Sequence, residues 1–401
     1  MAQMKSRAHG ANSAAIQSGF TLLEVMVTLV ITMVLMTAMA GIFQQSISTR
    51  AQVEREGQRL ESSRFSLDTL TEDIRLAGYY GPLTIPSGSI DWVYADPCTE
   101  GAGWSAPDPS ISTTRTVPFP IYGYEAHKAN ITSPPGCITV ANKSVYRAGT
   151  DMLVIRRVST TPGLSGTGFH LQHSACADTS KDRVPFIASN DATTFTLLGT
   201  DVLQTPPKVC AVAAPIYRLI TRIYFISACD DCSGGGTGDG IPTLKVVEVG
   251  AGDPRTVATG VEDMHMEYGV DQTTSAIGGD GAVDGYVVSN NNPRTTGADG
   301  TAVGGTMLPT STAMADATLR PDSASGEDRW EDVMTVKVSL VVRDTSEYQG
   351  VAGTRSFTLG ISDNAPTVLT STYPKTGTDK FRRKLSVTTV SAVNLGARRE
   401  Q

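Results

Sequence analysis

Residues 20–43 read FTLLEVMVTLVITMVLMTAMAGIF and carry a single charge, Glu24. At ~1.5 Å rise per residue they form a helix of roughly 36 Å, long enough to cross a bilayer. The residues before them hold Lys5 and Arg7 and no acid, so positive charge lies on the N-terminal flank and orients that end towards the cytoplasm. Ala38-Met39-Ala40 has the small-x-small form of an ordinary signal-peptidase site. A cleavable signal or a plain anchor leaves Glu24 unexplained, however, because a carboxylate in hydrocarbon costs about 3 kcal/mol or more unless it is paired.

Beyond Phe43 the composition turns polar while the helical period persists. Leu60, Leu67, Leu70, Ile74 and Ala77 recur three, four or seven residues apart, and Glu54, Arg55, Glu56, Arg59, Glu61, Arg64 and Glu72 fall mostly on other faces. No proline interrupts Phe20 to Tyr80, and Gly78 followed by Gly81-Pro82 supplies the stop. The pattern predicts one helix from Leu22 to Ala77, roughly 84 Å long. Gly41 within it reads as either a close-packing point or a locally melted turn.

The whole chain has 401 residues, 33 Lys+Arg against 40 Asp+Glu, 39 Gly and 21 Pro, with 40% of residues apolar. It is too apolar for a disordered chain and lacks the basic excess of a nucleic-acid binder. From Gly81 onward short alternating runs sit between Gly-, Pro- and Ser-rich loops. The cleanest is Asp332 to Arg343, with Met334, Val336, Val338, Leu340 and Val342 on one face and Thr335, Lys337, Ser339 and Arg343 on the other, a half-buried antiparallel strand. Met152–Val158, Ile216–Ile226, Leu244–Val249, Val261–Val270 and Lys384–Val393 alternate similarly. With no long helix between them, the fold class is α+β: a long N-terminal helix packed on an antiparallel β-sheet domain with long loops. Asp271 to Arg329, rich in Gly, Ala, Thr, Asp and Asn, reads as an exposed, partly ordered insertion between two strands.

Gly19-Phe20-Thr21-Leu22-Leu23-Glu24, followed by an apolar helix, resembles the class III signal of type IV pilins and type II secretion pseudopilins. The resemblance implies cleavage between Gly19 and Phe20 by a prepilin peptidase, methylation of the new amine, and pairing of Glu24 with the amine of an adjoining subunit. Asp73-Ile-Arg-Leu-Ala-Gly-Tyr79, Val261 to Asp271, Asp280 to Tyr286 and Trp330 to Arg343 resemble the PilW family of minor pilins in order and spacing.

That resemblance implies a cleaved leader at 1–19, a filament-core half-helix at 20–43, an amphipathic half at 44–80 and an extracytoplasmic domain at 81–401 carrying the insertion at about 271–329. It implies inner-membrane residence before assembly, then a place in a type IV pilus, at a tip complex that primes or caps it. The implied partners are other minor pilins, the major pilin, the inner-membrane assembly platform and a tip adhesin; no nucleic acid is expected. Two alternatives stay open: a type II secretion minor pseudopilin, and a secreted binding or hydrolytic domain with an ordinary signal peptide.

All six cysteines, Cys98, Cys137, Cys176, Cys210, Cys229 and Cys232, lie beyond the apolar segment, and an even count there suggests disulfides. Cys229-Asp-Asp-Cys232 is expected to close a loop; Cys98 with Cys137 and Cys176 with Cys210 follow from proximity in sequence. Carboxylates on Gly-rich loops can hold Ca²⁺. The candidate set is Asp271, Asp280 and Asp284, with Asp230, Asp231 and Asp239 forming a second group around a glycine run; solvated turns are the alternative. No other cofactor is expected. No catalytic motif is visible: His170-Leu-Gln-His173 lacks a zinc-protease carboxylate, Gly163-Leu-Ser165-Gly-Thr lacks the closing glycine of a nucleophile elbow, and the glycine run at 234–240 lacks a Walker lysine. His265 and Glu267 share one face of a strand and are expected to face solvent.

Overall fold

The computed structural model describes residues 19–81, 90–104, 115–127, 131, 134–164, 168–173, 186–195, 197–201, 208–270, 283, 285–290, 306–308, 330, 333–348, 352–361 and 368–396. One helix, α1 (Leu22–Leu76), opens the chain. The strands follow as β1 (Ile90–Val93), β2 (Arg115–Pro118), β3 (Ile121–Tyr124), β4 (Met152–Val158), β5 (His170–His173), β6 (Phe186–Ser189), β7 (Leu198–Asp201), β8 (Lys208–Ala213) and β9 (Ile216–Ser227). Then come β10 (Thr243–Glu248), β11 (Arg255–Thr259), β12 (Val261–Val270), β13 (Gly285–Asn290), β14 (Thr306–Leu308), β15 (Val333–Arg343), β16 (Arg355–Ile361), β17 (Val368–Tyr373), β18 (Arg383–Ser391) and a terminal turn of helix, α2 (Val393–Gly396). The chain divides into two compact units, residues 1–57 and 58–401.

α1 is continuous through Gly41 and Gly57. Its end is set chemically: the Ala77 amide donates to Ile74 O at 3.1 Å, the Tyr79 amide to Leu76 O at 3.0 Å, and Gly78 turns the chain with φ +72°. That conformation strains any residue with a Cβ, so glycine fits the helix end.

Within residues 58–401 the buried face of α1 is Arg59, Ser63, Ser66, Leu70, Asp73 and Ile74. The expected stripe began at Leu60, which instead is 43% exposed. Small Ser63 and Ser66 let the helix approach closely, with Ser63 Oγ 2.6 Å from Ser386 Oγ on β18, while Arg59 reaches Asp344 at 3.2 Å.

Two sheets carry the core. One has seven strands, with the path β11-β10-β9-β4-β3 and β5-β6 joined to β9. The other has five, β14-β13-β12-β15-β18. All pairings within both are antiparallel; β1 and β2 pair in parallel. Leu70, Ile74 and Ala77 share one apolar cluster with Tyr224 and Phe225 of β9, Met264 and Tyr268 of β12, and Val336, Val338 and Leu340 of β15. Burial of each such Leu or Phe side chain contributes ~1.5–3 kcal/mol.

One expectation changes here. β15 is not half-buried, because Ser339 and Val341 on its second face are also covered. The β16–β17 hairpin provides that cover: Ser339 Oγ donates to Leu359 O at 2.6 Å, and Val341 packs with Leu359 and Tyr373. The stretch 271–329 contributes β13, paired with β12, and β14, paired with β13. Their runs of three to six residues are too short to stand out by periodicity.

Candidate functional site

The N-terminal unit is built from its first turn. The Glu24 amide donates to Thr21 O at 3.0 Å and to Thr21 Oγ at 3.3 Å, so Thr21 caps α1 and Glu24 stands at the third helical position of a Thr-x-x-Glu capping sequence. Glu24 also places negative charge in the first turn, where the helix dipole favours it. All residues from Gly19 to Arg50 are exposed, Phe20 at 80% and Leu22 at 79%. Thr28, Thr32 and Thr37 turn their hydroxyls back onto carbonyls three or four residues earlier, leaving methyl groups outward. A helix apolar on every side is buried in lipid or in other protein. The segment is long and apolar enough to span a bilayer, with mean hydropathy 2.3 over its best window.

In the larger unit, Asp73 anchors the end of α1. Its buried carboxylate accepts from Arg157 Nη2 at 3.3 Å, from Arg222 Nη1 at 2.9 and 2.8 Å, and from the Tyr224 hydroxyl. Arg222 extends the network to Glu248 at 2.9–3.0 Å. Burial, then the charge of Asp73, pushes the Tyr224 hydroxyl up. The Gly78 amide donates to Arg156 O at 2.9 Å, and the Val158 amide to Tyr79 O at 2.8 Å. The segment Asp73 to Tyr79 is therefore a clasp between helix and β4–β9.

A second buried polar group lies where the two sheets meet. The Asp151 amide donates to Met264 O at 3.0 Å, and the Met266 amide donates to Asp151 Oδ2 at 2.9 Å, so Asp151 splices the start of β4 onto β12. Its Oδ1 faces His127 Nδ1 and its Oδ2 faces His265 Nδ1, each at 2.9 Å. His127 Nε2 meets Asp263 Oδ1 at 3.0 Å, and His265 Nε2 meets Ile361 O at 3.1 Å. Asp263 also takes the Tyr373 hydroxyl and, at 3.2 Å, Lys375 Nζ. Glu125 accepts the His127 amide at 2.7 Å.

Side chains of His127, Asp151, His265 and Asp263 are 0–2% exposed. Burial opposes charge on His127, but Asp263 and Asp151 outweigh it and hold the imidazole cationic well above its ordinary range. Burial, followed by repulsion from Asp151, pushes Glu125 up to about 7. His265 and Glu267 thus do not face solvent. The β16–β17 hairpin lies over them, with the Ile361 amide on Glu267 Oε1 at 3.0 Å, and Gly360 leaves room: a Cβ there would lie 2.6 Å from the Glu267 carboxylate.

Of the cysteines, Cys98 is bonded to Cys137 and Cys229 to Cys232, with Cα separations of 5.6 and 5.3 Å. Cys176 lies outside the described residues, as does the side chain of Cys210. Asp271, Asp280 and Asp284 also lie outside them. In the second acidic group, Asp239 accepts the amides of Asp230, Asp231 and Ile241 at 3.0–3.1 Å, and Asp231 accepts that of Ser233 at 2.9 Å; these carboxylates build the loop after the Cys229–Cys232 disulfide.

The histidine–carboxylate group escaped sequence reading because its members come from positions as distant as 125 and 265. One signal was present. Asp263 lies in register with apolar Val341 on β15, so the face carrying Asp263, His265 and Glu267 was one that something had to cover.

Residues 15–40 match the family model for the prokaryotic N-terminal methylation motif, a span that includes Gly19, Phe20 and Glu24. With the apolar helix that follows, this makes the chain a membrane-anchored pilus component of prepilin type. Residues 223–394, from β9 to α2, match the family model of type IV pilus-assembly protein W; the two matches together are those of a PilW-family type IV minor pilin. No curated protein and no solved structure matches it significantly.

Proposed function

We propose that the chain is a non-enzymatic minor pilin, cut between Gly19 and Phe20 and held in the inner membrane by its apolar helix until assembly. It then joins other minor pilins in a tip complex that primes or caps a type IV pilus grown from the major pilin by the inner-membrane platform. The observation that carries this reading is the stretch 22–43 of α1: apolar on every side, exposed among the described residues, and bearing one carboxylate.

In a bundle of such helices, burial of the apolar surface supplies assembly energy. Glu24 and a neighbour's Phe20 ammonium each need the other once water is excluded, which sets register between subunits. The domain from Gly81 onward supplies lateral contacts and a surface for a tip adhesin. A type II secretion pseudopilin would share the same N-terminus, but the pilus-assembly match over residues 223–394 favours the pilus.

Cross-linking of purified pili tests this: the reading expects adducts between this chain and other minor pilins, enriched at filament ends. Wild-type pilus number in cells lacking the protein, with no such adducts, contradicts it.

A further inference from the structure

We infer that Glu125, His127, Asp151 and His265 form a binding site for a divalent transition metal of the zinc class. One ligand atom from each of the four lies within 4.8 Å of every other. Both imidazoles turn the same nitrogen, Nδ1, towards the shared Asp151 carboxylate at 2.9 Å, and Glu125 Oε1 stands 3.7 Å from His127 Nδ1. The second observation concerns the opposite side of each ring. His127 Nε2 is fixed by the Asp263 carboxylate and His265 Nε2 by the Ile361 carbonyl. Metal-binding histidines are oriented in this way, with the outer N–H held by a carboxylate or a backbone carbonyl so that the inner nitrogen points at the ion. Asp263 is itself fixed by Tyr373, Lys375 and the Met264 amide.

The donor set selects the metal. Two imidazoles and two carboxylates suit a four-coordinate zinc-class ion. Ca²⁺, which takes six to eight oxygens, is poorly served by two nitrogens. Binding displaces the His127 Nδ1 proton, and the two carboxylates then balance the dication beside two neutral rings in the buried site. The ligands come from the turn after β3, the residue before β4, and β12, so the ion would pin the seven-stranded sheet to the five-stranded one. This inference does not depend on the pilus role proposed above.

The test uses the full chain purified in detergent without metal-chelating resins, stripped with EDTA and then titrated with Zn²⁺ or Ca²⁺. One zinc per chain by elemental analysis, and a melting midpoint that rises and saturates at one equivalent of Zn²⁺ but not of Ca²⁺, are expected. Glu125→Gln and His127→Gln, each checked for wild-type circular dichroism, should weaken zinc binding tenfold or more. Wild-type protein that takes up no stoichiometric zinc and shows no melting shift overturns the site. Variants that are folded and bind zinc like wild type overturn it as well.

Discussion

The two units of this chain treat burial in opposite ways. From Gly19 to Arg50 every residue is exposed, although the stretch 20–43 is dominated by apolar residues and carries a single charge. From Gln58 onward the chain buries Asp73, Asp151, Asp263, His265 and Arg383 at 8% exposure or less, each against charged or hydrogen-bonding partners from distant strands. An apolar surface that the described residues leave exposed calls for cover from outside, which on the proposed reading is lipid and then other subunits. Charges shut away from water demand partners inside, and the β-domain provides them. On the proposed reading the first unit is an assembly element, and the second is a scaffold whose buried charges find their partners within it.

Substitutions separate the two, and the largest effects belong to the N-terminal unit. Replacing Gly19 with a bulky residue should abolish leader removal, so that the full-length precursor accumulates on immunoblots while the β-domain folds normally. Glu24→Ala should leave processing intact yet lower incorporation into sheared pili by roughly tenfold or more, equivalent to about 1.4 kcal/mol or above; full incorporation and normal piliation would refute the pairing role. In the scaffold, Asp73→Ala removes the carboxylate partner of Arg157, leaves Arg222 with Glu248 alone, and should cost about 3–5 kcal/mol in denaturant unfolding, with cleavage at the leader unchanged.

A paired test on one helix sharpens the contrast further. Leu70→Ala, at a fully buried position, should cost about 2–5 kcal/mol, whereas exposed Leu60→Ala should fall within about 0.5 kcal/mol of wild type. The smallest effect is a pH response. His173 is buried, gives its Nε2 proton to Tyr80 O and packs against Tyr217. Burial lowers its pKa below the ordinary 6.5, the Tyr80 carbonyl partly opposing. Below about pH 6.5 the unfolded chain therefore takes up a proton that the folded chain resists, and the stability present above that pH falls as pH drops towards the folded value. His173→Gln should flatten this limb of a melting-versus-pH profile relative to wild type.

Local patterns made much of this architecture readable. α1 was expected over Leu22 to Ala77 and runs Leu22–Leu76; β4 and β12 have the expected bounds. Helical period, absence of proline and strand alternation are properties of neighbouring residues, so they survive without knowledge of the tertiary fold. What stayed hidden depended on a third layer. The β16–β17 hairpin covers the second face of β12 and β15, turning the polar row Asp263, His265 and Glu267 from an apparent solvent face into an interior. Leu60 misled for the related reason that the packing stripe is led by Ser63 and Ser66, whose small size matters more than polarity where helix and strand approach closely. Asp73 lay inside a motif seen in the sequence, but its partners Arg157, Arg222 and Tyr224 come from strands far along the chain.

The central claim is that the apolar helix persists in the mature protein as an assembly element, and the mass of the mature N-terminal peptide tests it most directly. The account predicts a peptide beginning at N-methylated Phe20, with residues 1–19 absent. A mature chain beginning at Gly41, after cleavage behind Ala40, would remove the helix from the protein and contradict the account.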